Sequence, residues 1–319
     1  MKKLPFAATL LAALVSAPAH ADDYPSRPIR MLLPFSAGGG GDTLGRILAE
    51  RFSAELKQPV IVENKPGAGG TIGIASVARS APDGYTITIG GMTTHILSPS
   101  VYKDLPYDPV KSFTSLGAIG NSAIMVIANN DFPANDIAGV KQLEASRAEP
   151  VQYGSWGIGS TGHFCGEVLV QKGEVKLQHV PYKGTTQIIT DVIGGHVDLG
   201  FVDMATATPM IAQRKVKALA ACTKRSPSVP DIRSYKEQGI DFDRDLNWAM
   251  YVPVGTPGPV VDRLSSTLEK VLKEPDVVDK LLGLGITARY VSGPAHQKAS
   301  IADIEAWKAV AREAGIKPQ

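Results

Sequence analysis

The sequence predicts an α/β protein of two lobes with a ligand cleft between them, and three observations carry that reading. Short apolar and β-branched runs alternate with helix-patterned segments along the chain. Two of these runs end in glycine-rich loops that pass directly into helices. The runs are also too many for one open sheet and suit two sheets of about four to six strands. With 319 residues the chain has room for two domains of about 100–200 residues each.

Strands are expected at 29–33, 60–63, 86–89, 124–128, 151–153, 178–180, 199–202, 217–221 and 249–252. Alternation with helices implies parallel pairing. Leu44, Ile47, Leu48, Phe52 and Leu56 recur at helical spacing, as do Val261, Leu264, Leu268, Val271 and Leu272, so both helices should cover sheet faces. Thr256-Pro257 marks the start of the later helix and Gly283 the end of its successor. Ile304, Trp307, Ala311 and Ala314 give a C-terminal helix one apolar stripe, with Trp307 in the core.

Residues 1–21 read as an export signal: Lys2-Lys3, an apolar stretch from Leu4 to Val15, then Ala19-His20-Ala21 with small residues for cleavage after Ala21. That stretch is shorter than the roughly 20 residues of a spanning helix. Without Lys2 and Lys3, the 33 Lys and Arg become 31 against 31 Asp and Glu, so the mature chain is neutral and has no electrostatic case for nucleic acid. Composition, 44% hydrophobic and 20% charged, is that of a globular protein. Cys165 and Cys222 fit two buried thiols, although an oxidising compartment would permit pairing. His95, His163, His179, His196 and His296 are scattered without metal-ligand spacing, so neither a metal nor a cofactor is expected.

The sharpest local feature is the strand at 29–33 followed by Phe35-Ser36-Ala37-Gly38-Gly39-Gly40-Gly41-Asp42 and a helix. Glycines let the backbone approach a ligand, and the free N–H groups of a helix start attract an anion. Asp42 is expected as the N-cap. A second unit runs from the strand at 151–153 through Gly154-Ser155-Trp156-Gly157-Ile158-Gly159-Ser160-Thr161-Gly162-His163. Gly157, Gly159 and Gly162 satisfy the dinucleotide spacing, but the next strand ends in Pro181-Tyr182-Lys183-Gly184 and not in the acid that would hold a ribose. Ser160 and Thr161 instead suit hydroxyl donation to a carboxylate. Trp156 is expected to pack between loop and helix, with the cleft as its alternative. Catalytic patterns are weak: there is no nucleophile elbow, and the alternative reading is an exported hydrolase built on Ser160 and His163 with Asp203.

Motifs in fixed order extend the argument: Tyr24-Pro25-Ser26-Arg27-Pro28 leading to Pro34-Phe35, Val62-Glu63-Asn64-Lys65-Pro66-Gly67-Ala68-Gly69-Gly70, and Ala81-Pro82-Asp83-Gly84-Tyr85. Leu105-Pro106-Tyr107-Asp108-Pro109, Val180-Pro181-Tyr182-Lys183-Gly184, Gly194-Gly195-His196-Val197-Asp198, Lys224-Arg225-Ser226-Pro227 and Pro253-Val254-Gly255-Thr256-Pro257 follow. In these the chain resembles the Bug-type solute-binding receptors of tripartite tricarboxylate transporters.

The resemblance implies a type II periplasmic binding protein, a monomer without enzymatic activity. Such a receptor closes by a hinge on a small organic carboxylate and hands it to membrane transporter subunits; a sensing module for a membrane signalling protein would share the fold. It implies lobe 1 from 22–123 and 248–319, lobe 2 from 124–247, and crossings near 122–126 and 245–251. Ligand contacts are implied at Phe35, Ser36, Ala37, Gly38 and Asp42 with Thr94 and His95 on one lobe. On the other they are Ser155, Gly159, Ser160, Thr161, His163, Tyr182 and Asp203. Asp203 stands where asparagine is commoner, so it is expected to meet a ligand ammonium or repel a second carboxylate, favouring an amino acid or monocarboxylate over citrate.

Overall fold

The structure is a computed structural model that describes residues 24–242, 244, 246–313, 315–316 and 318. The expected signal segment, Asp245 of the second crossing and Ala314 lie outside the described residues. The strands are β1 (Ile29–Leu33), β2 (Val60–Asn64), β3 (Thr86–Gly91), β4 (Phe113–Ser122), β5 (Ile124–Ala128), β6 (Val151–Ser155), β7 (Leu177–Pro181), β8 (Leu199–Asp203), β9 (Lys217–Ala221), β10 (Leu246–Pro253) and β11 (Ile286–Ser292). The first half of the chain supplies helices α1 (Gly40–Leu56), α2 (Thr71–Ala78), α3 (Ser98–Val101), α4 (Ile137–Ser146) and α5 (Thr161–Gly173). The second half adds α6 (Thr185–Ile193), α7 (Met204–Ala212), α8 (Gly258–Val271), α9 (Pro275–Gly283) and α10 (Gly293–Glu313).

One sheet has the order β11-β4-β10-β3-β1-β2 and the other β7-β6-β8-β5-β9. Both are mixed, not parallel as the alternation implied. β1 runs parallel to β2 and β3, and β6 parallel to β7 and β8, whereas β10 is antiparallel to β3 and β4 and β5 to β8 and β9. The reason is topological. β4 enters the second sheet through Ala123 and continues as β5, and β10 brings the chain back. A strand that arrives from the other lobe runs away from the cleft, opposite to strands that end there.

β4 and β11 were not expected as strands. Their apolar alternation is broken by glycines and bulges, with register shifts at both neighbours of β4. At Gly120 a Cβ would lie 2.2 Å from the Thr287 carbonyl oxygen, so only glycine lets β11 close onto β4.

The helical stripes pack as their spacing requires: Leu44, Leu48, Phe52 and Leu56 of α1 and Leu264, Leu268 and Val271 of α8 are buried, with Ile47 half-buried. Trp307 of α10 meets Phe164 of α5 edge-on at 5.8 Å, so the last helix touches the lobe built on the second sheet as well as its own. Cys165 and Cys222 are not free thiols. They form a disulfide with Cα atoms 5.8 Å apart, tying α5 to the end of β9, a proximity that a separation of 57 residues concealed. No helix among the described residues is long and apolar enough to cross a membrane.

Candidate functional site

The C-terminal ends of β1, β3, β6 and β8 face one another across the gap between the sheets, where open α/β folds place ligands. The gap is closed down to a cavity of about 50 Å³. Its walls come from the loop after β1, the end of β3 with the π-helical turn Met92–Leu97, Trp156, the start of α6, Asp203, and residues 246–248 at the start of β10. π-turns of this sort recur at functional sites because the wide turn re-aims side chains.

Two helices present uncapped starts to the cavity. α1 is preceded by Gly39 and α6 by Gly184, neither with a side-chain cap, and Gly39, Gly40, Gly184 and Thr185 all line the wall. The Gly40 amide is taken by Thr206 Oγ1 at 2.8 Å, so it is the other amides of these first turns and two helix dipoles from opposite lobes that meet at one place, which favours an anion. Asp42 is not the N-cap of α1. It lies at the third helical position, where its carboxylate accepts from the Gly38 amide at 2.8 Å, Arg46 Nε at 3.0 Å and Asn64 Nδ2 at 2.9 Å. Burial works against its ionisation, but Arg46, the Gly38 amide and Asn64 outweigh it and hold the carboxyl below its ordinary range. Asp42 therefore fixes the glycine loop.

Of the expected contact residues, Phe35, Ser36, Thr94 and Asp203 line the cavity. Ala37 and Gly38 are exposed and do not line it. The others stand behind the wall. His95 is buried, bonded to Thr94 Oγ1 at 2.9 Å and stacked on Tyr251 at 3.9 Å. Burial, with His296 nearby adding to it, pushes its pKa down to about 3. Tyr182 turns its hydroxyl to Asp191 at 2.8 Å, leaving Lys183, Gly184 and Thr185 to reach the wall.

Ser155, Gly159, Ser160, Thr161 and His163 do not line the cavity and stand behind Trp156 on the β6 side. Ser160 caps α5 by accepting the His163 amide at 3.1 Å and donates to Ser155 Oγ at 3.2 Å, while Ser155 Oγ lies 2.7 Å from His179 Nε2. The His163 ring accepts from the Gly159 amide through Nδ1 at 3.2 Å. Ser160 and His163 are thus joined through a backbone amide and not ring to hydroxyl, which gives no nucleophile–base pair. Burial pushes His163 down to about 3 and His179 to about 4, so both are neutral.

Asp203 caps α7, with Oδ1 accepting the Thr206 amide at 2.9 Å and Oδ2 accepting Thr206 Oγ1 at 2.8 Å. Burial raises its pKa against these bonds. It also faces the other lobe, since a Cβ on Gly40 would lie 2.0 Å from Oδ1. Its carboxylate is engaged at a helix start and in lobe contact, and it also lines the cavity. The sequence reading also passed over Trp248 and Asn247. Phe35 meets Trp248 edge-on at 5.4 Å, and Trp156, besides packing on Gly162, lines the cavity. An aromatic lining is legible only once β10 is known to start at the cleft.

Fold and cleft together define a two-lobed periplasmic binding protein, with a hinge where the chain crosses between sheets. The family described as the tripartite tricarboxylate transporter family receptor matches residues 44–316, and the chain belongs to it, among the Bug-type receptors. It is similar to the solved structure of the periplasmic binding protein BugD, at 36% identity and a TM-score of 0.88, over 93% of this chain and all (100%) of that one. The structure of R. palustris Rpa4515 with adipate matches at 28% identity and 0.89, over 93% and 100% of the two chains. MatC (Rpa3494) from Rhodopseudomonas palustris with bound malate matches at 28% and 0.85, over 90% and 99%. These relatives are solute-binding proteins, and the class works in the periplasm.

Proposed function

We propose that the protein is a periplasmic receptor that closes over one small carboxylate-bearing solute and delivers it to the membrane subunits of a tripartite tricarboxylate-type transporter. The observation that carries this is the meeting of two uncapped helix starts, α1 and α6, at one closed cavity between the lobes. A carboxylate there accepts backbone N–H groups from both lobes, so binding and closure are one event. Adipate and malate in the two R. palustris relatives support the carboxylate class.

In this reading lobe 1 comprises 22–123 and 248–319, lobe 2 comprises 124–247, and the leader is removed after Ala21. Phe35, Ser36, Thr94 and Asp203 touch the solute or its waters. Ala37 and Gly38 form the exposed part of the first glycine loop, and Asp42, His95, Ser155, Gly159, Ser160, Thr161, His163 and Tyr182 hold the loops in shape. The test is calorimetric titration of mature protein, unfolded and refolded to strip carried solute, against aliphatic diacids, hydroxy acids, amino acids and aromatic carboxylates. Binding by one class with compaction in solution scattering is expected. Silence across all carboxylates refutes the receptor reading.

A further inference from the structure

Gly157 and Gly159, whose spacing resembles a dinucleotide motif, face protein: neither lines the cavity. Both have positive φ, of 119° and 75°. A Cβ on Gly157 would lie 3.2 Å from the Gly69 amide nitrogen, and one on Gly159 only 2.5 Å from Val101 Cγ1. Between them the Ile158 carbonyl accepts from the Tyr102 hydroxyl at 3.1 Å. Three consecutive residues of the loop after β6 thus meet Gly69, Val101 and Tyr102 of the lobe built on the first sheet, along a seam that adjoins the cavity through Gly70 and Trp156.

The first-sheet side of this seam is strained. Gly67, Ala68, Gly69 and Gly70 all have positive φ, and Ala68, at 46°, is the one residue among them with a side chain. Such a conformation is costly for alanine and persists where its surroundings hold it. Here the Ala68 carbonyl accepts from Thr71 Oγ1 at 2.8 Å and from the Tyr102 hydroxyl at 3.2 Å. Tyr102 therefore has one hydroxyl proton and two carbonyl acceptors, one on each lobe.

We infer that Tyr102 is the latch of the cleft, a positioning residue that sets how long the closed lobes hold their solute; the assignment rests on the receptor reading above and adds to it the control of release. When the lobes part, Ile158 leaves while the hydroxyl keeps Ala68, so opening strands no donor. When they close, the hydroxyl turns to Ile158 as Gly157 seats on Gly69 and Gly159 on Val101. Gly70 ends the strained turn and lines the cavity, so solute and latch act on the same short segment. Glycine at 157 and 159 permits this close approach, which accounts for the spacing without a nucleotide.

The experiment uses refolded mature protein with adipate, malate, glutamate and benzoate as probes, and stopped-flow indole fluorescence on each probe that calorimetry shows to bind. In Tyr102→Phe the dissociation rate constant is expected to rise about threefold to tenfold, the effect of one neutral hydrogen bond, with association within about twofold of the unaltered protein. Position 102 carrying 4-aminophenylalanine, which keeps an N–H donor, should bring release back to within about twofold. A tyrosine that serves only its own lobe through Ala68 would lower the solute-free thermal midpoint and leave release unchanged, and that result overturns the latch while leaving the receptor intact. Faster release that 4-aminophenylalanine does not reverse overturns the hydrogen bond as its cause. No binding by any of the four probes overturns the receptor reading and the latch with it. If circular dichroism shows Tyr102→Phe unfolded, 4-methylphenylalanine, which fills the place of the hydroxyl without a donor, decides in its stead.

Discussion

The backbone amide of Gly40, first residue of α1, donates to Oγ1 of Thr206 in α7 across the cleft at 2.8 Å. Thr206 in turn donates to the Asp203 carboxylate, so the starts of two helices from opposite sheets are coupled through one hydroxyl. The approach is possible because Gly40 has no side chain: a Cβ would also come within 2.4 Å of Ala205 Cβ.

Gly40→Ala is therefore expected to block full closure without harming either lobe. Alanine favours an α-helix over glycine by up to about 1 kcal/mol, so the ligand-free thermal midpoint should hold or rise. Ligand affinity should fall at least about tenfold if closure contributes 1.4 kcal/mol or more. Solution scattering with ligand checks it: a variant that compacts like the unaltered protein sinks this account of closure.

A second bridge joins the lobes at Thr93, whose Oγ1 lies 2.7 Å from Thr161 Oγ1 and accepts the Thr161 amide at 3.2 Å. Thr93→Val removes both bonds while conserving shape. One or two neutral hydrogen bonds correspond to a loss of roughly threefold to thirtyfold in affinity. It should appear mainly as faster release, measured by stopped-flow fluorescence, because mutations at one interface act chiefly on dissociation. A slower association with unchanged release would contradict it.

The disulfide between Cys165 and Cys222 closes a loop of 57 residues. Chain entropy alone makes such a link worth about 4 kcal/mol. The Cys165→Ser, Cys222→Ser protein should melt well below the oxidised form, with circular dichroism at low temperature unchanged. Equal midpoints with and without reductant would show that the bond constrains nothing.

Three buried histidines, His95, His163 and His296, and the half-buried His179 make stability pH-dependent. Burial pushes His95 and His163 down to about 3 and His179 and His296 down to about 4. In the unfolded chain they titrate near 6.5. Below that pH the unfolded state binds protons that the folded state refuses, so this stability is fully present above pH 6.5 and declines as pH falls toward 4 and 3. The urea midpoint should drop between pH 7 and pH 5, and His179→Gln should lessen the drop. A midpoint flat over that range would show that the rings are open to water.

The nine strands expected from the sequence correspond to β1–β3 and β5–β10, because each carries a continuous apolar or β-branched run. β4 and β11 escaped because glycines and bulges replace alternation exactly where two strands must approach closely. The glycine loops were recognisable as anion-binding starts, since strand, glycines and helix follow one another locally. The roles within them were not: Asp42 resembles a cap by position, yet it reaches back to Gly38 and sideways to Asn64, and Asn64 arrives from a different strand.

By itself the sequence determined the two-lobed α/β class, the family resemblance and the loops that meet a ligand, because these depend on local periodicity, composition and ordered motifs. Only the tertiary structure decided that the sheets are mixed, that Cys165 reaches Cys222, that Asp203 caps α7 against Gly40, and that Trp248 and Asn247 stand beside Phe35. Each of those is a meeting of residues far apart in the chain. Such meetings are set by where the chain crosses between lobes and how the sheets pack, and no spacing along the sequence encodes them.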